Sequence, residues 1–245
     1  MDTKLFLVGT SGWTYDHWRG HFYPQDLPKS KWFNYYATKF QIVEINATFY
    51  RTFIDQTYHN WRERAPAGFG YVLKAPRTIT HRKYLEDVES DVKAFERSAS
   101  LLEEKLEMIL LQLAPGTPYD PERLRKALLA FVEPHKVAVE FRHKRWLTEE
   151  TFSLLKELGA AFCNPDSPRN RLTDFVTSER AYLRLHGRQS WYSHDYSQEE
   201  LQEIYTLVVG MVKQGAKKVY IFFNNDFEGN AVKNAQELME IFGSY

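Results

Sequence analysis

Eight short runs of aliphatic, aromatic and β-branched residues recur along this chain, with amphipathic stretches between them. The runs lie at residues 5–9, 42–46, 71–75, 108–113, 137–141, 160–164, 181–185 and 218–223. Alternation of this kind calls for successive βα units around a parallel sheet. An open doubly wound sheet would usually carry a glycine-rich phosphate loop after its first strand, and Gly9-Thr-Ser-Gly12 has neither the dinucleotide spacing nor a P-loop lysine. Eight units with right-handed crossovers therefore point to a closed (β/α)8 barrel of the TIM type. At 245 residues the chain matches the roughly 250 residues such a barrel takes. No linker or repeat divides it, so residues 1–245 are expected to be one domain.

Between the runs the helical patterns are clear. Over 90–105, Val92, Phe95, Ala99 and Leu102 share one face, and 120–131, 148–158, 197–213 and 230–242 read the same way. Thr148 ahead of Glu149 and Glu150, and Ser197 ahead of Glu199 and Glu200, are good N-caps. The exception is 165–176, which is polar and turn-rich where the sixth helix belongs, so the sixth unit is expected to be irregular.

The strand-like runs also carry polar residues late and at alternate positions. In a barrel alternate residues face the lumen. On that parity Ile42, Glu44 and Asn46 share a face, as do Val72 and Lys74, Leu110 and Gln112, Ala138, Glu140 and Arg142, Tyr182, Arg184 and His186, and Tyr220, Phe222 and Asn224. Burying one unpaired polar group costs roughly 2 to 7 kcal/mol. Six strands, each polar at the same end, imply one shared pocket at the C-terminal mouth, where barrels of this type keep their active sites. The competing reading is a structural layer in which Glu44 and Glu140 merely neutralise Lys74, Arg142 and Arg184.

Global charge favours no partner, because 32 Lys and Arg balance 32 Asp and Glu. One cysteine, Cys163, excludes an internal disulfide framework and a multi-cysteine zinc site, and its apolar run marks it as core. No run approaches the roughly 20 apolar residues of a membrane span, and the expected location is the cytoplasm. Most of the 6 tryptophans read as core. Trp13, Trp146 and Trp191 each follow a strand within a loop, where an aromatic wall around a ligand is the second reading.

The pocket inventory fits acid-base chemistry on an anionic ligand. Glu44, Glu140 and His186 are the catalytic candidates, His186 because imidazole titrates near neutrality. Lys74, Arg142 and Arg184 can hold a phosphate, sulfate or carboxylate. Asn46, Gln112, His81, Trp146 and Trp191 complete the expected binding wall, with Asn224, Asn225 and Asp226 from the turn after the eighth strand. That turn leads into a helix N-terminus, which favours an anion as readily as it accepts a cap. No cofactor is identified. A divalent metal on Glu44, Glu140, His186, His81 or Asp226 is weakly supported, since no ligand spacing is present and cations adjoin. Ser11 lacks the nucleophile-elbow context of a hydrolytic triad.

Seven linked motifs carry a resemblance: Gly9-Thr-Ser-Gly-Trp13, Val43-Glu-Ile-Asn46 with Thr48-Phe-Tyr-Arg51, Lys74-Ala75 with Ile79-Thr-His81, Gln112-Leu-Ala-Pro115, Val139-Glu-Phe-Arg-His143 with Trp146, Arg184-Leu-His-Gly187, and Phe223-Asn-Asn-Asp226 with Asn234-Ala235. In order and over nearly the whole chain they resemble the YecE-like family, domain of unknown function 72. The one departure is Ala114, where the family usually has a proline before Pro115. The resemblance implies a TIM-type barrel and no established reaction. It leaves three expectations: an enzyme acting by hydrolysis or a related step on a phosphorylated or otherwise anionic sugar-like ligand, a nucleic-acid-binding or phosphodiester-cleaving protein like endonuclease-IV-type barrels, and a non-catalytic ligand-binding protein. The chain lacks the many His and carboxylate ligands of a trinuclear zinc nuclease, and its oligomeric state is open.

Overall fold

A computed structural model describes residues 5–243. Its eight parallel strands are β1 (Phe6–Thr10), β2 (Ile42–Ile45), β3 (Gly70–Lys74), β4 (Leu106–Gln112), β5 (Val137–Glu140), β6 (Ala161–Asp166), β7 (Arg180–Leu185) and β8 (Lys218–Phe223). They form one sheet in the order β1-β8-β7-β6-β5-β4-β3-β2, a nearly closed barrel. The helices are α1 (Trp32–Lys39), α2 (Ala47–Tyr50), α3 (Asp55–Arg64), α4 (Glu89–Ala99), α5 (Pro121–Leu129), α6 (Glu149–Leu158), α7 (Gln198–Lys213) and α8 (Asn230–Gly243). Every expected run holds a strand. The Thr148 and Ser197 side chains accept from the Thr151 and Glu200 amides, and Ser197 forms a full capping box.

Parity places the interior as read from the sequence. Ile42, Val72, Leu110, Ala138, Tyr182, Tyr220 and Phe222, with Leu7, Met108, Ala161 and Cys163, form a buried cluster of their own inside the barrel. A second and larger cluster fills the layer between strands and helices. The apolar lumen is a packed floor, and the polar members of each face stand above it at the C-terminal mouth.

Two features depart from a regular barrel. Between β6 and β7 there is no helix: Ser167 and Asn170 form an isolated bridge, and Asn164 ties down the segment by donating to the Thr173 carbonyl at 2.7 Å. The other is the β1/β2 seam, where a side chain stands in for the ladder. The Tyr36 hydroxyl, delivered by α1, accepts from the Thr10 amide at 3.0 Å and donates to the Ile42 carbonyl at 3.0 Å. Gly9 permits that approach, because a Cβ there would lie 2.3 Å from the Ile42 oxygen. No described helix is long and apolar enough to cross a membrane.

Candidate functional site at the barrel mouth

Strands β2, β5 and β7 project Glu44, Glu140 and Arg184 to one level. Arg184 is 2 % exposed and both glutamates are fully buried. Its Nε and Nη2 grip Glu44 at 2.9 and 2.8 Å, and its Nη1 donates to Glu140 Oε2 at 2.6 Å. Glu44 also accepts from Ser11 Oγ at 2.7 Å, Tyr182 Oη at 2.7 Å and Asn46 Nδ2 at 3.1 Å. A carboxylate so enclosed has no face left for a substrate. Glu44 holds Arg184 in place through two hydrogen bonds. All three guanidinium nitrogens of Arg184 are engaged by the two carboxylates. Ser11 is a donor to Glu44.

Glu140 is different. Its Oε2 takes the Arg184 bond, but its Oε1 makes no hydrogen bond although Arg142 Nε lies 3.1 Å away and His186 Nε2 3.7 Å away. His186 Nε2 and Asn46 Oδ1 are also buried without a hydrogen-bond partner. Buried polar atoms are normally satisfied, and these three belong to residues at or just past the C-terminal ends of β2, β5 and β7. Burial pushes the Glu140 carboxyl up, but Arg184, His186 and Arg142 outweigh it and hold it well below the ordinary carboxylate range. Burial pushes the Glu44 carboxyl up too, and Arg184 with its hydrogen-bond donors brings it below the ordinary range. His186 is pushed down by burial, against the pull of Glu140. Its ring is therefore neutral near pH 7. Asn224 Nδ2 faces Nδ1 at 3.0 Å, which places the ring proton on Nε2, the atom nearest Glu140.

Lys74 completes the mouth. It is 7 % exposed, donates to Gln112 Oε1 at 2.8 Å and sits 4.2 Å over the Phe49 ring. Among the described residues its ammonium forms no ion pair, and Glu140 and Glu44 act on it only from a distance. Burial first, then Arg184, pulls the amine from 10.5 down to about 8. His81 meets the edge of the same Phe49 ring at 4.9 Å, and its own pKa is lowered by burial and then by Lys74. Phe49 was not among the expected site residues. Its signal was the Thr48-Phe-Tyr-Arg51 motif, which becomes the short helix α2 directly over the end of β3.

Of the loop aromatics only Trp191 reaches the site. Its ring stands 5.6 Å from His186 and lies under the Arg142 guanidinium at 5.4 Å. Trp146, expected at the mouth, is a correction. The 3-10 turn at Lys144–Trp146 swings it back onto Phe141 on the outer face of β5, stacked at 5.3 Å and buried in the core. Trp13 packs edge-on against Phe33 at 5.4 Å. Asn225 is also structural: it is fully buried and donates to the His194 carbonyl and to Asn234 Oδ1, both at 2.8 Å. Asp226 turns toward the first loop, where Oδ1 accepts from Trp18 Nε1 at 2.6 Å and Oδ2 meets His17 Nε2 at 3.0 Å. Burial raises its pKa to about 6, against those two partners.

Beside the mouth, Tyr15, His17, Trp191, Tyr192, Asn224 and Phe227 line a cavity of about 370 Å3. A groove of about 930 Å3 lies on the outer surface between the loop at 85–90 and α5, and gathers none of the lumen residues. The buried ionisable residues with shifted pKa values, Glu44, Lys74, Glu140, Arg184 and His186, gather at the mouth rather than in this groove. Among the described residues no group of three His, Cys, Asp or Glu side chains is arranged to hold a metal ion.

The family model described as "Protein of unknown function DUF72", for which YecE-like is another name, matches residues 7–245. The chain is 27 % identical over 273 residues to the UPF0759 protein YunF of Bacillus subtilis, spanning 97 % of this chain and 94 % of that protein. Its structure is similar to the crystal structure of a DUF72 family protein of Thermotoga maritima, with 31 % identity, a TM-score of 0.88, and 98 % and 99 % of the two chains covered. A DUF72 family protein of Enterococcus faecalis shares the fold, with 21 % identity, a TM-score of 0.82, and 97 % and 95 % covered.

Proposed function

Since this chain belongs to the DUF72 family, whose description names no reaction, its chemistry has to be read from the barrel mouth, and we propose that it is an enzyme that binds a phosphorylated or otherwise anionic, sugar-like ligand there and acts on it by acid-base chemistry, a hydrolysis or a related proton transfer. One observation carries the reading. Among the described residues the buried Lys74 ammonium has no counter-ion within salt-bridge distance, and Asn46 Oδ1, Glu140 Oε1 and His186 Nε2, at the same C-terminal end of the barrel, are buried without hydrogen-bond partners. Two carboxylates stand there against the cations of Lys74, Arg142 and Arg184, so the cluster is one positive charge in excess. An anionic group supplies the missing charge, and the ligand's hydroxyls supply the missing hydrogen bonds.

The roles follow from the geometry. Lys74 and Arg142 hold the anion, with Arg142 steadied on Trp191. Neutral His186 presents an N–H to a developing oxyanion or leaving oxygen, and Glu140 Oε1 receives a proton from the attacking group. The Glu140 carboxylate is a weak base while two arginines face it. Bound negative charge beside it raises its pKa and makes it stronger. Arg184 and Glu44 are positioning residues that keep Glu140 aimed.

A thermal-shift screen of sugar phosphates and organic acids against the wild type, Lys74→Met and Glu140→Gln tests this. A ligand at a hundred times its Kd adds about 2.7 kcal/mol, a rise in Tm of about 5 to 10 °C for a chain of this size. The expected hit is lost in Lys74→Met, and its turnover, followed by NMR, falls by about a hundredfold or more in Glu140→Gln while binding persists. Hits indifferent to Lys74→Met would refute the site. A ligand bound but never turned over would leave a binding protein.

A further inference from the structure

The cavity beside the mouth is lined in part by Trp191 and Asn224, which also contact the His186 ring, at 5.6 and 3.0 Å. Its volume of about 370 Å3 falls within the roughly 300 to 1,000 Å3 of small-ligand sites. Four of its lining side chains are aromatic: Tyr15, Trp191, Tyr192 and Phe227. Phe227 is 59 % exposed and Tyr192 46 % exposed, so both rings offer a face to solvent at the cavity. Both are held in place by the backbone. The Tyr192 amide donates to the His186 carbonyl at 2.7 Å, and the Phe227 amide donates to the Tyr192 carbonyl at 2.9 Å. The rings are thus presented by pinned loops whose anchor is the imidazole carrier itself.

The polar groups of this cavity are largely engaged. Asp226 and His17 face one another, the Ser193 hydroxyl donates to Ser190 Oγ at 2.9 Å, and the Asn224 amide nitrogen faces His186. A second sugar ring would bury several hydroxyls here without partners. A flat heterocycle needs few partners and offers a π-face to each aromatic wall. Arg142 links the two subsites, with its guanidinium 5.4 Å from the Trp191 ring and 3.1 Å from Glu140. An anion held by Arg142 is therefore adjacent to the Trp191 wall of the ring site.

We propose that the ligand of this protein carries a planar aromatic heterocycle that docks in the Tyr15–Trp191–Tyr192–Phe227 cavity while its phosphate sits at Lys74 and Arg142, so that its class is a nucleoside 5′-monophosphate. The inference rests on the anion site described above and specifies what is attached to the anion. The sugar-like part is the ribose between the two subsites.

Isothermal titration with the four common nucleoside 5′-monophosphates, ribose 5-phosphate and the matching nucleosides tests it. At least one nucleotide is expected to bind tenfold or more tighter than ribose 5-phosphate, and that advantage is expected to shrink below about threefold in both Trp191→Leu and Phe227→Ala. The ratio is the readout, because a variant that merely unsettles the anion site weakens both ligands together. Ribose 5-phosphate binding as tightly as every nucleotide would overturn the ring site and leave the anion site standing. A nucleoside binding as tightly as its nucleotide would do the reverse, and no binding by any of the three kinds would remove both. A 5′-phosphorylated trinucleotide separates a free nucleotide, which binds at least as well alone, from a strand end, whose tighter binding would overturn the mononucleotide assignment.

Discussion

Replacing Lys74 by methionine should flatten the dependence of stability on pH above neutrality. The amine falls from 10.5 in the open chain to about 8 in the folded protein, burial being the main cause. Below pH 8 both states are protonated, and the folded state bears the cost of a buried charge that no counter-ion offsets. Between pH 8 and 10.5 the folded amine is neutral while the unfolded one is still charged, so stability rises with pH across that window. At about 1.36 kcal/mol per pH unit, the cost at pH 7 is about 3 kcal/mol, of which about 2 kcal/mol is recovered by pH 9.5. Methionine keeps the bulk over Phe49 and has nothing to titrate. Urea unfolding of both proteins at pH 7.0, 8.0, 9.0 and 9.5 should show the wild type gaining about 2 kcal/mol relative to the variant. Parallel profiles would mean that Lys74 is not desolvated as described, and the case for an anion at this site would lose its basis.

Arg184→Met removes the shared cation of two buried carboxylates, leaving Glu140 with Arg142 and Glu44 with neutral donors only, and should cost about 3 to 5 kcal/mol at pH 7. In the wild type both carboxyls are held below 4.5, so their contribution is present above that pH and is lost as the pH falls through the folded values. In the variant burial is opposed only by Arg142 and His186 at Glu140 and by neutral donors at Glu44, and thermal scans should find its loss of stability in mild acid smaller than that of the wild type. Tyr36→Phe strips the bridge across the β1/β2 seam and leaves the Thr10 amide and Ile42 carbonyl buried and unpaired. A loss of about 1 to 3 kcal/mol is expected on urea unfolding, together with faster hydrogen exchange at the Thr10 amide. Gly187 has φ of 103°, and a Cβ there would lie 2.4 Å from the Ser190 oxygen and 2.7 Å from His194 Cβ. Gly187→Ala should therefore cost about 1 to 3 kcal/mol and displace Trp191, detectable as a shift in tryptophan emission.

The period of two within each strand made much of the site legible. Glu44, Lys74, Gln112, Glu140 and Arg184 fall where their parity puts them, above an apolar floor named by the same rule. The rule loses its force one or two residues past a strand end. Arg142, His186 and Asn224 still reach the mouth, but a 3-10 turn carries Trp146 to the outer core and Asn225 turns into the loop network. Parity also could not tell which charges pair. That Arg184 serves both glutamates while Lys74 has no partner is a fact of three-dimensional distances among residues up to 140 positions apart. The seam-bridging Tyr36 and the cavity rings Tyr15 and Phe227 come from elements whose sequence carries no such period, so nothing in the pattern singled them out. The absence of a helix between β6 and β7 was visible, because the prolines and turn residues at 165–176 carry no helical period, and Leu172, Phe175 and Val176 are buried or packed as an irregular segment.

The most direct test of the mouth as the functional site is a crystal structure of the protein with its tightest-binding phosphorylated ligand. Phosphate oxygens are expected within hydrogen-bond reach of Lys74 Nζ and the Arg142 guanidinium, with a ligand hydroxyl facing Glu140 Oε1 and His186 Nε2. A ligand seated instead in the outer groove around Arg123 and Lys126, with Lys74 and Glu140 untouched, would contradict the account.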